Sequence, residues 1–214
     1  MAQKNRGIVE DAAEIGLLAS PTRVEIVDTL EALGVAVSVA ELAAQLGRPA
    51  DGLYYHLRQL ADGGLIEEEA VADGRRYRTR TRVGDRLRLR YRPGATANAK
   101  AVDRATASLL RVAARDFTRA LADPESVVEG PQRELWAARG KGWVGAVELA
   151  EINRLLARLM DLLQRPRKAR DGKLVALSWV LAPLDAKPAR RAGAVSAVAR
   201  RPARPKGTAQ RRSR

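Results

Sequence analysis

Between residues 20 and 64 the apolar positions fall into three short blocks at helical spacing, with glycine and proline between them. Ser20-Pro21 opens the first block, with serine as the N-cap and proline in the first turn. Val24, Ile26, Val27, Leu30 and Leu33 form its apolar face, and Gly34 ends it. The second block opens with Ser38-Val39-Ala40-Glu41, a capping box in which serine and glutamate each satisfy an amide of the first turn. Val39, Leu42, Ala43 and Leu46 point inward, and Gly47 stops the helix. Pro49 restarts the chain, and the spacing predicts a third helix over 49–62 that Gly63-Gly64 terminates. In it Leu53, Leu57 and Leu60 face inward, while Asp51, Tyr54, Tyr55 and Arg58 fall on the opposite side. Residues 8–18 add a weakly amphipathic segment ahead of these. Two short helices joined by so tight a turn make a helix-turn-helix.

The period then changes from helical to two. Leu65 to Val71 and Arg75 to Arg82 flank Asp73-Gly74, a hairpin signal. A two-residue loop at Asp73-Gly74 sets Glu69 opposite Arg78 and Glu67 opposite Arg80, and leaves Arg75 and Arg76 unpaired at the tip. Arg86, Arg88, Arg90 and Arg92 alternate with Leu87, Leu89 and Tyr91, which predicts a further strand with one basic face, ended by Pro93-Gly94.

The second half has a different character. A long helix is expected from Ala99 to Leu121, with Val102, Ala105, Leu109, Val112, Ala113, Phe117 and Leu121 on one side, and Asp123-Pro124 breaks it. Another is expected from Ala146 to Leu163, where Leu149, Ile152, Leu156, Leu159 and Leu163 repeat at 3-4-3-4 spacing, as at a helix–helix seam. Arg133–Arg139 and Lys173–Ala182 are candidate strands. The expected fold class is α+β: a winged helix-turn-helix over 1–92, a small α+β dimerisation or effector domain over 93–185, and a disordered Arg/Lys-rich tail over 186–214.

Composition changes this picture in three ways. The chain carries a net charge of +14, which fits a polyanionic partner, but ten of its positive charges lie in the acid-free tail beyond Ala186. That leaves the remainder near +4 by subtraction. There is no cysteine and a single histidine, so disulfides, thiolate sites and paired-imidazole zinc sites are excluded. No nucleophile–base pair is in view, so the expectation is a non-enzyme without metal or cofactor. No apolar run reaches the ~20 residues that span a bilayer, and the first residues do not resemble a signal peptide, so the expected location is the cytoplasm and no membrane partner is expected. Gly140-Lys141-Gly142-Trp143-Val144-Gly145 fits GxGxxG, but no apolar strand precedes it, and it reads as a turn into a helix. Trp136, Trp143 and Trp179 suit core or dimer-interface packing, and an aromatic pocket for an unknown small-molecule effector is the alternative.

The outward face of the 49–62 helix carries the chemistry. Tyr54, Tyr55 and Arg58 can hydrogen-bond or stack on base edges and reach phosphates, His56 and Gln59 lie beside them, and Arg75 and Arg76 flank the groove from the wing. For His56 the reading is structural support or a phosphate contact. Residues 17 to 80 resemble ArsR-type winged-helix repressors in four successive pieces: Leu-Ala-Ser-Pro-Thr-Arg at 18–23, Val39-Ala40-Glu41-Leu42-Ala43, Tyr55-His56-Leu57-Arg58-Gln59-Leu60, and Gly64-Leu65-Ile66 leading into the wing. The resemblance implies a homodimer that inserts the 49–62 helix into the major groove of double-stranded DNA as a sequence-specific transcription regulator. Family members that sense metals do so through cysteine pairs, which this chain lacks. A sequence-neutral nucleoid-associated or RNA-binding protein is the other reading of the charge, and a winged helix that makes only protein contacts is a third.

Overall fold

The computed structural model describes residues 7–81, 85–164 and 172–185. Asp11 caps helix α1 (Ala12–Leu17), its carboxylate accepting from the amides of Ala13 and Glu14. Helix α2 (Pro21–Leu33) has proline at its first position, but the Ser20 side chain makes no cap hydrogen bond. Helix α3 (Val39–Leu46) carries the full capping box: the Glu41 amide donates to Ser38 Oγ at 3.2 Å and the Ser38 amide to Glu41 Oε2 at 2.7 Å. Gly47 closes α3 at φ 61°, a left-handed conformation that suits glycine.

The third helix starts later than its expected boundary at 49. Pro49 is extended, Ala50–Gly52 form a single 3-10 turn, and helix α4 runs only over Tyr54–Asp62. Gly52, a poor helix former, sits where the first α-turn would otherwise lie. Its inward residues are as expected: Leu53, Leu57 and Leu60 are buried together with Ile26, Leu30, Leu42 and Leu65 in one core.

Strands β2 (Val37–Ser38), β3 (Ile66–Val71) and β4 (Gly74–Thr79) form an antiparallel sheet in the order β2-β4-β3. The wing register is shifted by two residues from the expected one. The loop is Ala72-Asp73, with Val71 facing Gly74, so Glu69 opposes Arg76 and Glu67 opposes Arg78. Gly74 has φ 130°, and this freedom lets it serve as the first strand residue instead of the second loop residue.

The basic stretch after the wing forms only a two-residue strand, β5 (Arg88–Leu89), paired in parallel with β1 (Ile8–Val9). Its arginines meet acids from distant parts of the chain: Arg90 and Arg92 reach Glu10, and Arg86 reaches Glu31. Asn98, buried at the start of helix α5 (Thr96–Leu121), holds the pair of strands in place. Its amide nitrogen donates to the carbonyls of Glu10 and Arg90, and its oxygen accepts from the Arg92 amide.

Helix α5 packs on α1 and α2, and its buried residues are Asn98, Ala101, Ala105, Ser108 and Val112. These repeat at 3-4-3-4 spacing, and their small size lets the helix backbones approach closely. Ser108 Oγ donates to the Ala19 carbonyl at 2.7 Å across that contact. Val102, Leu109, Ala113 and Phe117, expected to face inward, are only half-buried, and Leu121 is exposed. Ala101 and Ala105 belong to the same core as the first helices, so packing continues past the expected boundary at 92.

Residues 133–139 and 173–182 form no strand, and neither pairs with another strand among the described residues. Helix α6 (Ala146–Leu163) forms over the expected span but buries none of its residues. The tail expected over 186–214 and the wing's expected end at Arg82 lie outside the described residues.

One carboxyl group reports on how the β5 segment is held. Glu31 on α2 has a side chain only 4% exposed, yet it accepts from the Leu87 amide at 2.8 Å and lies 3.5 Å from Arg86. Burial pushes its pKa from the usual 4.5 up to about 7. A raised carboxyl pKa means that the folded state holds the proton more tightly than the unfolded chain. This contribution is therefore complete below pH 4.5, falls as pH rises, and is gone above about 7. The Glu31→Gln protein should unfold alongside the native one near pH 4.5 and become progressively more stable than it towards pH 7. The gap in a urea titration should approach about 3 kcal/mol.

Candidate nucleic-acid interface

Helix α4 presents its outward side chains because its inward ones leave no choice. With Leu53, Leu57 and Leu60 each at 1% exposure or less, Tyr54, Tyr55 and Arg58 must face outward, and the two tyrosines are 54% and 64% exposed. Arg58 is exposed and has no ion-pair partner among the described residues. Two flat amphipathic rings and a free guanidinium therefore share one accessible face. This combination can stack on bases, donate to acceptor edges and neutralise a phosphate.

His56 and Gln59 have a different environment. Gln59 Oε1 accepts from Arg23 Nη1 at 2.9 Å, and Arg23 Nε in turn donates to the Leu17 carbonyl. Arg23 thus ties α4 to the end of α1, so Gln59 is half-buried and already engaged. His56 meets the edge of the Tyr55 ring, with centroids 5.5 Å apart, and its Nδ1 is buried without a hydrogen-bond partner. Burial lowers its pKa, and the Arg23 and Arg48 charges lower it further, so the imidazole is neutral at pH 7. A neutral, half-buried ring supports Tyr55 and adds no charge to the outward face.

At the wing, Arg75 and Arg76 are not the unpaired cations expected from the sequence. Arg75 lies 3.0 Å from Glu68, Arg76 lies 3.6 Å from Asp73, and Arg78 lies 2.5 Å from Glu67. Residues 66–80 hold four arginines and four acids, so the wing carries no net charge. Such exposed pairs are each worth about 1 kcal/mol or less, and a phosphate can compete for them. The shifted register accounts for one of these pairs, since it brings Glu67 directly across from Arg78.

Three further residues hold this surface and carry no local sequence signal: Arg23, Arg48 and Glu25. Arg48, in the turn before α4, donates to Glu25 of α2 at 2.7 Å. The Arg23–Gln59 and Arg48–Glu25 pairings each join residues more than 20 positions apart, out of reach of periodicity or capping rules.

Residues 18–69 match the family of the helix-turn-helix domain. The chain carries a helix-turn-helix domain. The match extends from the end of α1 through α2, α3 and α4 into β3. No curated protein and no solved structure matches the chain. Helix-turn-helix domains bind DNA through their second helix, and DNA binding in transcription regulation is the role this one points to. Among the described residues no helix is long and apolar enough to cross a membrane, and no cluster of side chains could hold a metal ion. Gly140–Gly145 lead into α6 as a capped turn, with the Gly145 amide donating to Glu148 Oε2 at 3.0 Å. Trp136 and Trp143 are 67% and 69% exposed, with Trp136 lying under the Arg133 guanidinium, so neither helps to enclose a pocket.

Replacing Glu68 by glutamine and Asp73 by asparagine together should free Arg75 and Arg76 for phosphates. Binding to a random-sequence duplex should tighten, and its dependence on salt should steepen by about one ion for each arginine that gains a phosphate. An unchanged salt slope would mean that the wing does not reach the backbone.

Proposed function

We propose that this chain is a dimeric, sequence-specific regulator of transcription, of the ArsR-like kind and acting as a repressor, that reads double-stranded DNA with α4. The observation that carries the reading is the outward face of α4, where Tyr54, Tyr55 and Arg58 stand exposed on a helix locked from behind by Leu53, Leu57 and Leu60. In this reading α4 lies in the major groove, and Arg58 with the tyrosines meets base edges and phosphates. Arg75 and Arg76 exchange their carboxylate partners for backbone phosphates beside the groove. His56 and Gln59 keep the helix in position and touch DNA at most through their edges.

Alanine at Arg58, Arg75 and Arg76 together should weaken duplex binding by at least tenfold in a fluorescence-anisotropy titration, since each lost phosphate or base contact is worth on the order of 1 kcal/mol or more. Unchanged affinity would sink the DNA-reading proposal. Wild-type affinity that is equal for selected and random duplexes would instead favour the sequence-neutral reading, in which the ten cations of residues 186–214 supply the attraction.

Dimerisation draws its support from α6. A helix in a protein draws most of its stability from packing its apolar face, and α6 is 18 residues long with none of them fully buried. The stripe of Leu149, Ile152, Leu156, Leu159 and Leu163 has the spacing of a two-helix seam, and among the described residues it is exposed or half-buried at every position. A second copy of the same helix offers the same stripe, and the resulting two-fold pair would bring two α4 helices to half-sites about 34 Å apart. Glutamate at both Ile152 and Leu156 should turn the dimer into a monomer in sedimentation equilibrium. Binding to a duplex with two half-sites should fall, and binding to a single half-site should be retained.

A further inference from the structure

The turn that presents α4 is fastened from behind by one carboxylate with two cationic partners. Glu25 lies mid-way along α2, its side chain only 12% exposed. Its Oε2 accepts from Arg48 Nη2 at 2.7 Å and from Arg115 Nη1 at 3.0 Å, and its Oε1 accepts from Arg115 Nη2 at 2.6 Å. Arg115 therefore holds Glu25 with two parallel bonds, the strongest geometry available to a guanidinium and a carboxylate. It also reaches Asp116 Oδ1 at 2.8 Å, so its planar fork is fixed on both sides.

The partners matter because of where they stand. Arg48 is the residue at which the chain turns from α3 towards α4, and its amide closes the end of α3 on the Ala43 carbonyl at 3.0 Å. Pro49 follows in an extended conformation, and the 3-10 turn and α4 come next. Arg115 lies in the last third of α5, the helix that leads out of the core towards residues 122–185. Among the described residues this shared carboxylate is what links the α3–α4 turn to α5. Without the carboxylate, two guanidinium groups would lose the acceptor they share, leaving Asp116 and the nearby Asp28 to offset them.

We propose that Glu25 is a positioning residue for the DNA-reading helix, fastening the turn ahead of α4 to α5 through a carboxylate shared by Arg48 and Arg115. The proposal rests on α4 being the reading helix. It adds a route by which a change in α5 alters the angle at which Tyr54, Tyr55 and Arg58 are presented. Glu25 does so without touching DNA.

The test uses the full-length chain and the substitutions Glu25→Gln, Glu25→Asp and Arg115→Gln, with Arg111→Gln as a control on the same helix. Two quantities are read: amide hydrogen exchange across residues 47–57, and the ratio of affinities for a duplex selected by the wild-type protein from a random library and for unselected duplex. Glu25→Gln and Arg115→Gln should both speed exchange across 47–57 and lower the ratio by about fivefold or more. Glu25→Asp, which keeps the charge, should recover part of both effects, and Arg111→Gln should change neither. Exchange across 47–57 at the wild-type rate in Arg115→Gln overturns the proposal. So does tighter binding of Glu25→Gln to both duplexes with an unchanged ratio, because the carboxylate would then act only as a repelling charge. If the wild-type protein selects no sequence, the DNA-reading proposal falls, and the exchange measurement alone decides on the fastening. If Glu25→Gln does not fold, Arg115→Gln, whose side chain is 35% exposed, carries the same test.

Discussion

Burial of Leu53, Leu57 and Leu60 against α2, α3 and the sheet is the constraint on which the rest of this domain depends. Each of these side chains is at 1% exposure or less, and each contributes roughly 1.5–3 kcal/mol when removed from water. Together they fix the rotation of α4 about its axis. That rotation alone decides that Tyr54, Tyr55 and Arg58 face away from the protein. It also sets the limits on the neighbours: α3 ends in a left-handed residue at Gly47, and the chain turns at Arg48-Pro49 to bring Leu53 into the core. The reading surface is thus a by-product of core packing, produced by side chains that never touch it.

The charges are arranged on another principle. The chain as a whole is strongly basic, yet most of the arginines in the folded part are committed to carboxylates. Arg80 bridges to Glu14, Arg90 and Arg92 to Glu10, Arg86 to Glu31, and the wing arginines to Glu67, Glu68 and Asp73. Arg58 on α4 has no such partner among the described residues. A near-neutral reading head gives up long-range attraction, but it limits the gain from binding any phosphate backbone indiscriminately. Discrimination then rests on contacts that need the correct base edges.

Much of this was legible in the sequence where the governing forces are local. The capping box at Ser38-Glu41, the stop at Gly47 and the inward leucines of α4 follow from rules acting over three to seven residues, and they lie where the pattern puts them. The misreadings came from interactions with no local trace. The wing register depended on whether Gly74 sits in the loop or in the strand, and a dipeptide signal does not distinguish the two. The basic face of residues 86–92 looked free because its acids, Glu10 and Glu31, lie more than 50 residues earlier. The inner face of α5 was missed because Ala101, Ala105 and Ser108 are small, and the eye follows Leu109 and Phe117 instead. Apolar runs at 133–139 and 173–182 resembled strands, but a strand needs a neighbour as much as a pattern.

Helix α5 also has a mechanical character. Its 26 residues make a rod about 39 Å long. It is pinned near its start by Asn98, at mid-length by Ser108 on the Ala19 carbonyl, and further on by Arg115. Its small inner residues leave no slack for tilting, since any tilt would drive one helix backbone into another. The motion left to such a rod is a slight twist or slide along its own length. Pinned at three levels along its length, α5 is a stiff shaft with the reading helix held to one side of it.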